Sequence, residues 1–324
     1  MYQQLQNILK LRRPYPTYQS SFLASYASPD SLVEMIVEEE NRRTYFLKHR
    51  LKSQTYEQLK NINITGKDYF PFPYENDLIQ KKVVLFPSGL EKYRNESELR
   101  TRISDFIHKY LQVSEAFEKL AVNYVLMTWI YDKFHELPYL RALGDYGSGK
   151  TRLLQTVGAL CYKSMWTSGA VTPAPIFRII QQFGGTLLLD EADFRFSDST
   201  QDIIKILNNG YSRGFPVLRC SSDSEHEVKA YTVFGPKIVA TRFPFSDPAL
   251  ESRCITERMT KINLRLNIPL NLKNPFWKEA QEIRNQLLFW RFQNYGKREL
   301  KEVKGNLEPR RKQILAPLFS CSED

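Results

Sequence analysis

One stretch of eight residues constrains this chain more than any other: Gly-Asp-Tyr-Gly-Ser-Gly-Lys-Thr at 144–151. It matches G-x-x-x-x-G-K-[ST] at every fixed position. Glycines let a backbone bend so that successive N–H groups point inward, and a following helix presents its partly positive N-terminus to the same anion. The alternative is a glycine-rich structural turn with a surface lysine. We expect a phosphate-binding loop formed by Gly144, Asp145, Tyr146, Gly147, Ser148, Gly149, Lys150 and Thr151, with Arg152 next in the helix.

Two residues of the motif and two later acids have distinct expected tasks. Lys150 should reach the β- and γ-phosphates of ATP, and the Thr151 hydroxyl should ligate Mg²⁺. Forty positions after Lys150, an apolar run ends in Asp190 and Glu191. In enzymes with such loops, the strand beside the loop ends in an Asp that holds Mg²⁺ through water. Asp190 suits that role, and Glu191 suits the orientation or deprotonation of the attacking water.

Segments around these motifs alternate between strand and helix patterns. Strands are expected at 137–143, near 164–168, at 186–190 and at 236–241, and helices at 150–162, 173–182 and about 200–214. Strands that alternate with helices predict an α/β fold with a parallel sheet and crossover helices.

The first hundred residues carry weaker patterns. The mixed-charge stretch 34–60 is compatible with a helix, and 81–86 (KKVVLF) is the best strand candidate there. From Glu96 the apolar residues recur at helical spacing. Ser114 has the character of an N-cap, which predicts a second helix that runs to about Phe134.

Downstream of the acidic strand, the sequence predicts a hairpin and a strand with a polar end. Two strand patterns flank a polar tip at 221–227, which contains His226 among acids. The strand 236–241 then ends in Thr241 followed by Arg242. A polar group at Thr241 is placed to touch the γ-phosphate or its water.

Arg253 falls on an expected short helix at 248–255. An arginine there is able to reach the γ-phosphate of a neighbouring subunit and stabilise the transition state. The alternative is a surface ion pair with Glu251 or Glu257.

Composition favours an intracellular protein that meets a polyanion. The net charge is +10, and residues 258–313 hold 14 Lys and Arg against 5 Glu and no Asp. A basic face suits nucleic acid, although a solvated helical surface explains the same charges. No apolar run approaches the ~20 residues of a membrane span, and the N-terminus lacks the order of a secretory signal. We expect a cytoplasmic location and no membrane partner.

The order of these pieces resembles an AAA+ ATPase core, and the hairpin before the next strand is similar to the helicase superfamily three type. Ser252-Arg253-Cys254 also resembles the arginine-finger motif of clamp-loader subunits. A closer resemblance is to an uncharacterised family of phage-, plasmid- and mobile-element-linked P-loop ATPases, described as replicative helicases or primase-associated proteins. The matching stretches lie within about 100–318: FIHKY, TWIYDKFHELPYLRALGDYGSGKTRLL, TPAPIFRII, GTLLLDEAD, ILNNGYSRG, VLRC, FGPKIVAT, DPALESRCI and EPRRKQILAPL.

This resemblance implies ATP and Mg²⁺ as cofactors, Glu191 and Lys150 as catalytic residues, and Arg253 as a finger acting between subunits. Asn208 would contact phosphate or order its helix. It also implies a homo-oligomeric ring, such as a hexamer, whose hairpins grip DNA. Two features depart from the pattern: Thr241 stands where related ATPases often have Asn, and the hairpin tip is acidic.

The sequence thus predicts an N-terminal region at 1–95, an ATPase core with a helical lead-in at 96–258, and a basic helical lid at 259–324. The pattern of this lid is that of a truncated domain. The leading hypothesis is an ATP-driven DNA helicase or translocase that serves the replication of a mobile element or phage. The alternatives are a non-motor ATP switch, such as a loader or assembly factor, and a module that binds nucleotide without hydrolysing it.

Overall fold

A computed structural model of the chain describes residues 21–168, 171–192, 198–220, 228–260 and 264–322, with the backbone alone at 198–200. Within these ranges the chain forms a β-rich N-terminal region, a central parallel sheet flanked by helices, and two C-terminal helices that pack on the lead-in helices. The described helices include none that is both long and apolar enough to cross a bilayer.

The N-terminal region consists of short strands in two sheets. These strands are β1 (Phe22–Leu23), β2 (Ser25–Ala27), β3 (Ser31–Glu38), β4 (Arg43–Arg50), β5 (Thr55–Leu59), β6 (Ile62–Ile64) and β7 (Lys67–Pro71). Strands β2 to β5 form an antiparallel sheet, and β1, β7 and β6 form the other. The expected helix within 34–60 is therefore wrong. Because β3 is buried along nearly its whole length, its apolar residues do not alternate with polar ones, and period alone does not separate such a strand from a buried helix.

The strand expected at 81–86 is also wrong. A short helix, α1 (Asp77–Gln80), ends directly before it in a turn. Val84 makes one isolated bridge to Met165, and the N–H of Leu85 donates to the carbonyl of Ser164 at 3.0 Å. Pro87 follows and has no N–H with which to extend this pairing.

The two lead-in helices are confirmed. They are α2 (Glu96–Tyr110) and α3 (Glu115–Trp129). The Asn95 side chain caps α2 and the Ser114 hydroxyl caps α3, each by accepting a backbone N–H of the first turn. Helix α3 ends five residues earlier than expected, and a 3₁₀ turn at Tyr131–Lys133 follows it.

The central part of the chain alternates strands and helices as the sequence predicts. Its elements are β8 (Tyr139–Leu143), α4 (Lys150–Gly158), β9 (Met165–Ser168), α5 (Pro173–Phe183), β10 (Leu187–Asp190), α6 (Asp198–Asn209), β11 (Val217–Cys220), β12 (Val228–Tyr231), β13 (Lys237–Thr241), α7 (Pro248–Glu251) and β14 (Cys254–Arg258). Five strands form one parallel sheet in the order β14-β8-β13-β10-β9. Strand β14 was not foreseen. The antiparallel pair β11–β12 forms the expected hairpin, whose tip at 221–227 lies outside the described residues.

Apolar residues on successive positions of the sheet face two different cores, which explains the unbroken hydrophobic runs. Leu188 and Ile238 belong to a core shared with α3, α4 and the C-terminal helices, whereas Leu187, Leu189 and Val239 belong to one shared with α5 and α6. A parallel sheet with both faces covered requires such strands.

The C-terminal helices α8 (Asn274–Asn294) and α9 (Pro309–Ser320) contribute to the core that contains Leu188 and Ile238. A buried ionic cluster ties α8 to distant parts of the chain. Arg291 Nε donates to Glu34 Oε1 of β3 at 2.7 Å, and its Nη2 donates to Asp132 Oδ2 at 2.8 Å. The Tyr162 hydroxyl donates to the same Glu34 carboxylate. The N-terminal sheet, the turn after α3 and the C-terminal region are therefore fixed to one another.

Candidate functional site

The loop between β8 and α4 is a compact turn closed by its own backbone. Gly147 and Gly149 have φ values of +71° and +93°, which residues with a Cβ rarely adopt. The carbonyl of Asp145 accepts hydrogen bonds from the Ser148 hydroxyl and from Lys150 Nζ, both at 2.8 Å. This carbonyl holds the lysine folded over the loop, at the N-terminus of α4.

Gly144 is required by close packing rather than by its own dihedral angles. A Cβ at this position would lie 2.1 Å from the carbonyl oxygen of Met259, just after β14. The N–H of Gly144 donates to the carbonyl of Thr241, and that of Met259 donates to the carbonyl of Leu143. The loop is thus anchored to the strands on both sides of β8.

The two acids lie at the end of β10, across from the start of α4. The Thr151 hydroxyl donates to Asp190 Oδ2 at 2.8 Å, which brings together the two residues expected to support a metal. Glu191 follows with an exposed side chain and a φ of +54°. Its N–H donates to Asp190 Oδ1 at 3.0 Å. Asp193, the next acid in the sequence, which suits a turn or a cap, lies outside the described residues.

The acidic strand is not next to the loop strand, which corrects the sequence expectation. Strand β13 is inserted between β8 and β10 and pairs with both. Its last residue, Thr241, is opposite Leu143, and the Thr241 hydroxyl is buried without a hydrogen-bond partner. The contact between Thr151 and Asp190 survives the insertion because all three strands end at one edge of the sheet.

Arg152 points away from the loop. Its guanidinium donates to the carbonyls of Pro269 and Leu270. Burial lowers the pKa of Arg152. Arg152 therefore joins α4 to the segment before α8, and within the part of the chain that the structure describes its guanidinium makes no hydrogen bond with the loop that precedes it.

Arg253 and Asn208 lie together, at the opposite edge of the sheet from the loop. Arg253 directly precedes β14, whose first residue pairs with Tyr139, the first residue of β8. The guanidinium of Arg253 donates to the Asn208 side-chain oxygen and lies 4.1 Å from the ring centroid of Tyr211. The Asn208 amide in turn donates to Asp247 at 2.8 Å. Desolvation lowers the pKa of Arg253, with a further contribution from Arg310.

The surface ion pair considered for Arg253 does not form. Glu251 is paired with the buried Arg141, and Glu257 accepts hydrogen bonds from Ser114. Only 7% of Arg253 is exposed. Its side chain therefore lies in a polar and aromatic setting inside the subunit.

Sequence reasoning missed a contact on the rim of the loop. The guanidinium of Arg242, directly after β13, lies 4.4 Å from the ring centroid of Tyr146 and donates to its hydroxyl. Tyr146 is 66% exposed. The sequence offered one signal for this contact: the strand ends in Thr241 where related ATPases often have Asn, and an arginine follows directly.

Part of the C-terminal basic surplus is used inside the fold. Arg284 donates to the carbonyl of Ala159 at 2.6 Å, Arg298 pairs with Glu96, and Arg291 occupies the buried cluster described above. The charge count therefore overstates the basic surface that this region offers.

A basic groove lies between the start of α5 and the hairpin. It has a volume of about 420 Å³ and is lined by Arg178, Arg219 and Lys229, together with Tyr231. Arg219 also pairs with Asp202, the acid of this groove, at 2.9 Å. Three cations beside an aromatic ring form the kind of surface on which a phosphate backbone and a base can both rest.

Comparison with known proteins assigns the chain to no family. No family model matches the chain, and no curated protein matches it. Solved structures that resemble it include the apo C-terminal region of NrS-1, with 11% identity over 90% of this chain and 72% of that one and a TM-score of 0.35. The A form of the same region has 10% identity, covers 79% and 65%, and has a TM-score of 0.33. JCV helicase has 17% identity, covers 60% and 55%, and has a TM-score of 0.32.

The chain spans just over half of the JCV helicase chain and 65% of the A form of the NrS-1 region. At TM-scores of this size the likeness carries no argument about the fold or the function of this chain. What is established is an α/β fold with a five-stranded parallel sheet flanked by helices.

Proposed function

We propose that this chain is a Mg²⁺-dependent ATPase of the P-loop class, with an AAA+-like core. The observation that carries the proposal is the hydrogen bond between the Thr151 hydroxyl and Asp190, at the edge of the sheet where Lys150 begins α4. A hydroxyl and a carboxylate are the hard oxygen ligands that Mg²⁺ prefers. The residues present therefore fit the metal and a triphosphate.

Each residue of the site then has a defined task. The backbone N–H groups of the loop and the N-terminus of α4 bind the phosphates, and Lys150 exchanges the Asp145 carbonyl for a phosphate oxygen. Thr151 and Asp190 hold the metal, which when bound neutralises charge on the phosphate oxygens. Glu191, next in the chain and exposed, orients and deprotonates water. Thr241 offers its buried hydroxyl from the strand between the loop and the acids.

Arg253 is the proposed finger in trans. It precedes β14 at the start of the strands, whereas the loop follows their ends, so roughly 15 Å of strand separates it from its own nucleotide. A homo-oligomeric ring, such as a hexamer, would bring it to a neighbour's γ-phosphate. Since Asn208 and Tyr211 hold the guanidinium in the single chain, assembly must release it from them.

Single-stranded DNA is the proposed partner, and the chain would act as a helicase or translocase. The groove lined by Arg178, Arg219 and Lys229 favours this partner, because it supplies cations on the hairpin and on α5 that the acidic tip lacks. Hydrolysis between subunits would shift their orientation and move the hairpins along the strand. Replication of a mobile element or phage is the proposed setting, and the cytoplasm the proposed location.

A non-motor ATP switch, such as a loader, is the second candidate. The acidic composition of residues 223–227 favours it, since like charges repel a phosphate backbone. A protein that only binds nucleotide is disfavoured by the presence of both Glu191 and Lys150.

An ATPase assay with and without single-stranded DNA tests the proposal. The parent should hydrolyse ATP with Mg²⁺ and hydrolyse it faster with DNA, while Glu191→Gln should bind ATP and lose turnover. Arg253→Ala alone should also lose turnover. If Arg253 acts in trans, mixing the two variants should restore activity, because a Glu191→Gln subunit supplies the arginine to an intact neighbouring site.

The outcomes separate the candidates. Hydrolysis that DNA does not stimulate would favour the switch. A folded parent that binds ATP without hydrolysing it would favour a binding module. Wild-type turnover in both variants would overturn the site assignments. The triple variant Arg178→Ala/Arg219→Ala/Lys229→Ala should keep basal hydrolysis and lose the stimulation.

A further inference from the structure

The outer end of the antiparallel N-terminal sheet carries a cluster of cations. Lys48 and Arg50 are two positions apart on β4, so their side chains leave the same face of the sheet. Further along this face Phe46 is buried, and it belongs to the same core as Ile62 of the other N-terminal sheet. The cations therefore lie where the apolar cover of this face ends.

These cations line an open cleft, which we call the N-terminal cleft. It has a volume of about 240 Å³ and is lined by six residues: Asp30, Ser31, Lys48, Arg50, Lys52 and Ser53. The cleft spans two strands, because Ser31 of β3 is directly opposite Arg50 of β4. Three cations, two hydroxyl groups and one carboxylate thus border a single space.

The cations of the N-terminal cleft have only exposed acids as partners. Lys52 pairs with Asp30 at 2.9 Å and Arg50 pairs with Glu57 at 3.0 Å, and all four side chains are at least 47% exposed. Ion pairs this exposed contribute little to stability. Lys48 is opposite Glu57 in the ladder, yet its side chain forms no ion pair within the ranges that the structure describes. An incoming anion can therefore contact all three cations at little cost.

An exposed aromatic residue lies on the same face of the sheet. Tyr26 of β2 is opposite Val33 of β3, which is opposite Lys48 of β4, and directly opposite residues share a face. Tyr26 is 37% exposed, and two strand spacings, about 10 Å, separate its strand from β4. Cations that follow a phosphate backbone, beside a ring on which a base can stack, are the two parts of a surface for single-stranded nucleic acid.

We propose that the N-terminal cleft and Tyr26 bind single-stranded DNA, whether or not a nucleotide is bound. Phosphates occupy the cleft between Lys48, Arg50 and Lys52, and an unpaired base stacks on Tyr26. A strand is favoured over a free phosphate ion, because salt screens each exposed contact and only consecutive phosphates add their contacts together. The site belongs to the N-terminal sheet, so it is separate from the groove beside the hairpin that the proposed function uses.

Fluorescence anisotropy with a labelled oligothymidine tests this on the full chain, at several salt concentrations and without nucleotide. All proteins carry the triple alanine substitution of the hairpin groove given above, so that the groove does not contribute. Lys48→Gln/Arg50→Gln/Lys52→Gln should bind about tenfold more weakly at low salt. The slope of the logarithm of the binding constant against the logarithm of the salt concentration should become shallower by about 2, since each phosphate neutralised on a single strand contributes about 0.7.

A matched control separates the cleft from net charge. It removes the same number of cations from exposed positions of the N-terminal region outside the cleft: Lys60→Gln/Lys92→Gln/Arg94→Gln. This variant should keep the affinity and the salt slope of its parent. Tyr26→Leu should weaken binding about fivefold or more and leave the slope unchanged, because it removes the stacking surface and no phosphate contact. Tyr26→Phe keeps the ring and should behave like the parent.

Several results would contradict the inference. An unchanged slope in the cleft variant would exclude the phosphate contacts, and an equal loss in the matched control would mean that net charge alone explains the binding. An unchanged affinity in Tyr26→Leu would exclude the stacking. Loss of binding to vesicles of anionic phospholipid, with DNA binding retained, would assign the cleft to a membrane surface instead.

A second variant covers a failure to fold. If circular dichroism shows that the triple cleft variant is unfolded, Lys48→Gln alone should make the slope shallower by about 0.7, and no change would overturn the inference. The titrations contain no nucleotide. A parent that fails to bind ATP would therefore overturn the proposed function and leave this comparison intact.

Discussion

The hydroxyl of Thr151 donates a hydrogen bond to Oδ2 of Asp190 at 2.8 Å, although 39 positions separate the two residues in the sequence. The bond joins the first turn of α4 to the end of β10, across the end of β13. The two oxygen groups that we propose as ligands of a divalent cation are therefore in direct contact.

Thr151→Ala should raise the Mg²⁺ concentration that half-saturates ATP binding by about tenfold. The variant loses the hydroxyl that we propose as a metal ligand, and with it the hydrogen bond to Asp190. Thr151→Ser keeps the hydroxyl and should behave like the parent. Magnesium titrations of nucleotide binding measure both. An unchanged requirement in Thr151→Ala would show that this hydroxyl does not serve the metal.

Glu191 has a φ of +54°, a conformation that residues with a Cβ rarely adopt. Glu191→Gly should be more stable than Glu191→Ala by about 1 kcal/mol, since glycine adopts positive φ without steric strain. Both variants should lack hydrolysis. Urea unfolding of the two proteins gives the comparison, and an Ala variant at least as stable as the Gly variant would mean that the strain is absent.

Arg291 pairs with the buried carboxylate of Glu34 and with the partly exposed carboxylate of Asp132. Arg291→Met keeps most of the volume, leaves Asp132 without its cation and leaves Glu34 with Lys163 as its cation, so the free energy of unfolding should fall by about 3 kcal/mol. Chemical denaturation measures this. The control Arg311→Ala, at an exposed arginine on α9, should lie within about 0.5 kcal/mol of the parent. Adding Asp132→Asn to Arg291→Met should recover part of the loss, and no recovery would argue against an electrostatic origin.

Lys237 gives the fold a pH dependence of known sign. Its Nζ donates to the carbonyls of Gly210, Val233 and Gly235 at 2.9–3.0 Å, and its charge lies 4.9 Å from the ring centroid of Tyr139. Burial lowers the pKa of Lys237 to about 7, against about 10.4 in an unfolded chain. Between these values the unfolded chain binds a proton that the folded chain has released, so stability rises with pH. Below pH 7 both states are protonated and the contribution is constant.

Lys237→Met should remove this contribution. The free energy of unfolding of the parent minus that of the variant should grow by up to about 1.4 kcal/mol per pH unit between pH 7.5 and 9.5. Taking the difference cancels the contribution of Lys163, whose pKa burial lowers to about 8. Unfolding at a series of pH values measures the slope, and a difference that does not vary with pH would contradict a lowered pKa.

The sequence predicted the central sheet well because its signals are local. The runs at β8, β10 and β13 are short, apolar and separated by helical patterns, and the caps Asn95 and Ser114 fix the start of the lead-in helices. The prediction failed at β3 because burial on both faces removes the alternation of apolar and polar residues that marks an ordinary strand. It failed at 81–86 because an apolar run there makes an isolated bridge instead of a strand. The roles of Lys150, Glu191 and Arg253 remain predictions that the experiments above test.

The sequence by itself determined which residues form the loop, where α4 begins, and which acids end β10, because glycines, helix caps and apolar runs act over a few neighbouring positions. Only the tertiary structure decided that β13 separates the loop strand from the acidic strand, that Arg152 faces Pro269 and that Arg242 rests on Tyr146. Those relationships depend on strand order and register, which are set by packing between segments far apart in the chain, and no local pattern encodes them.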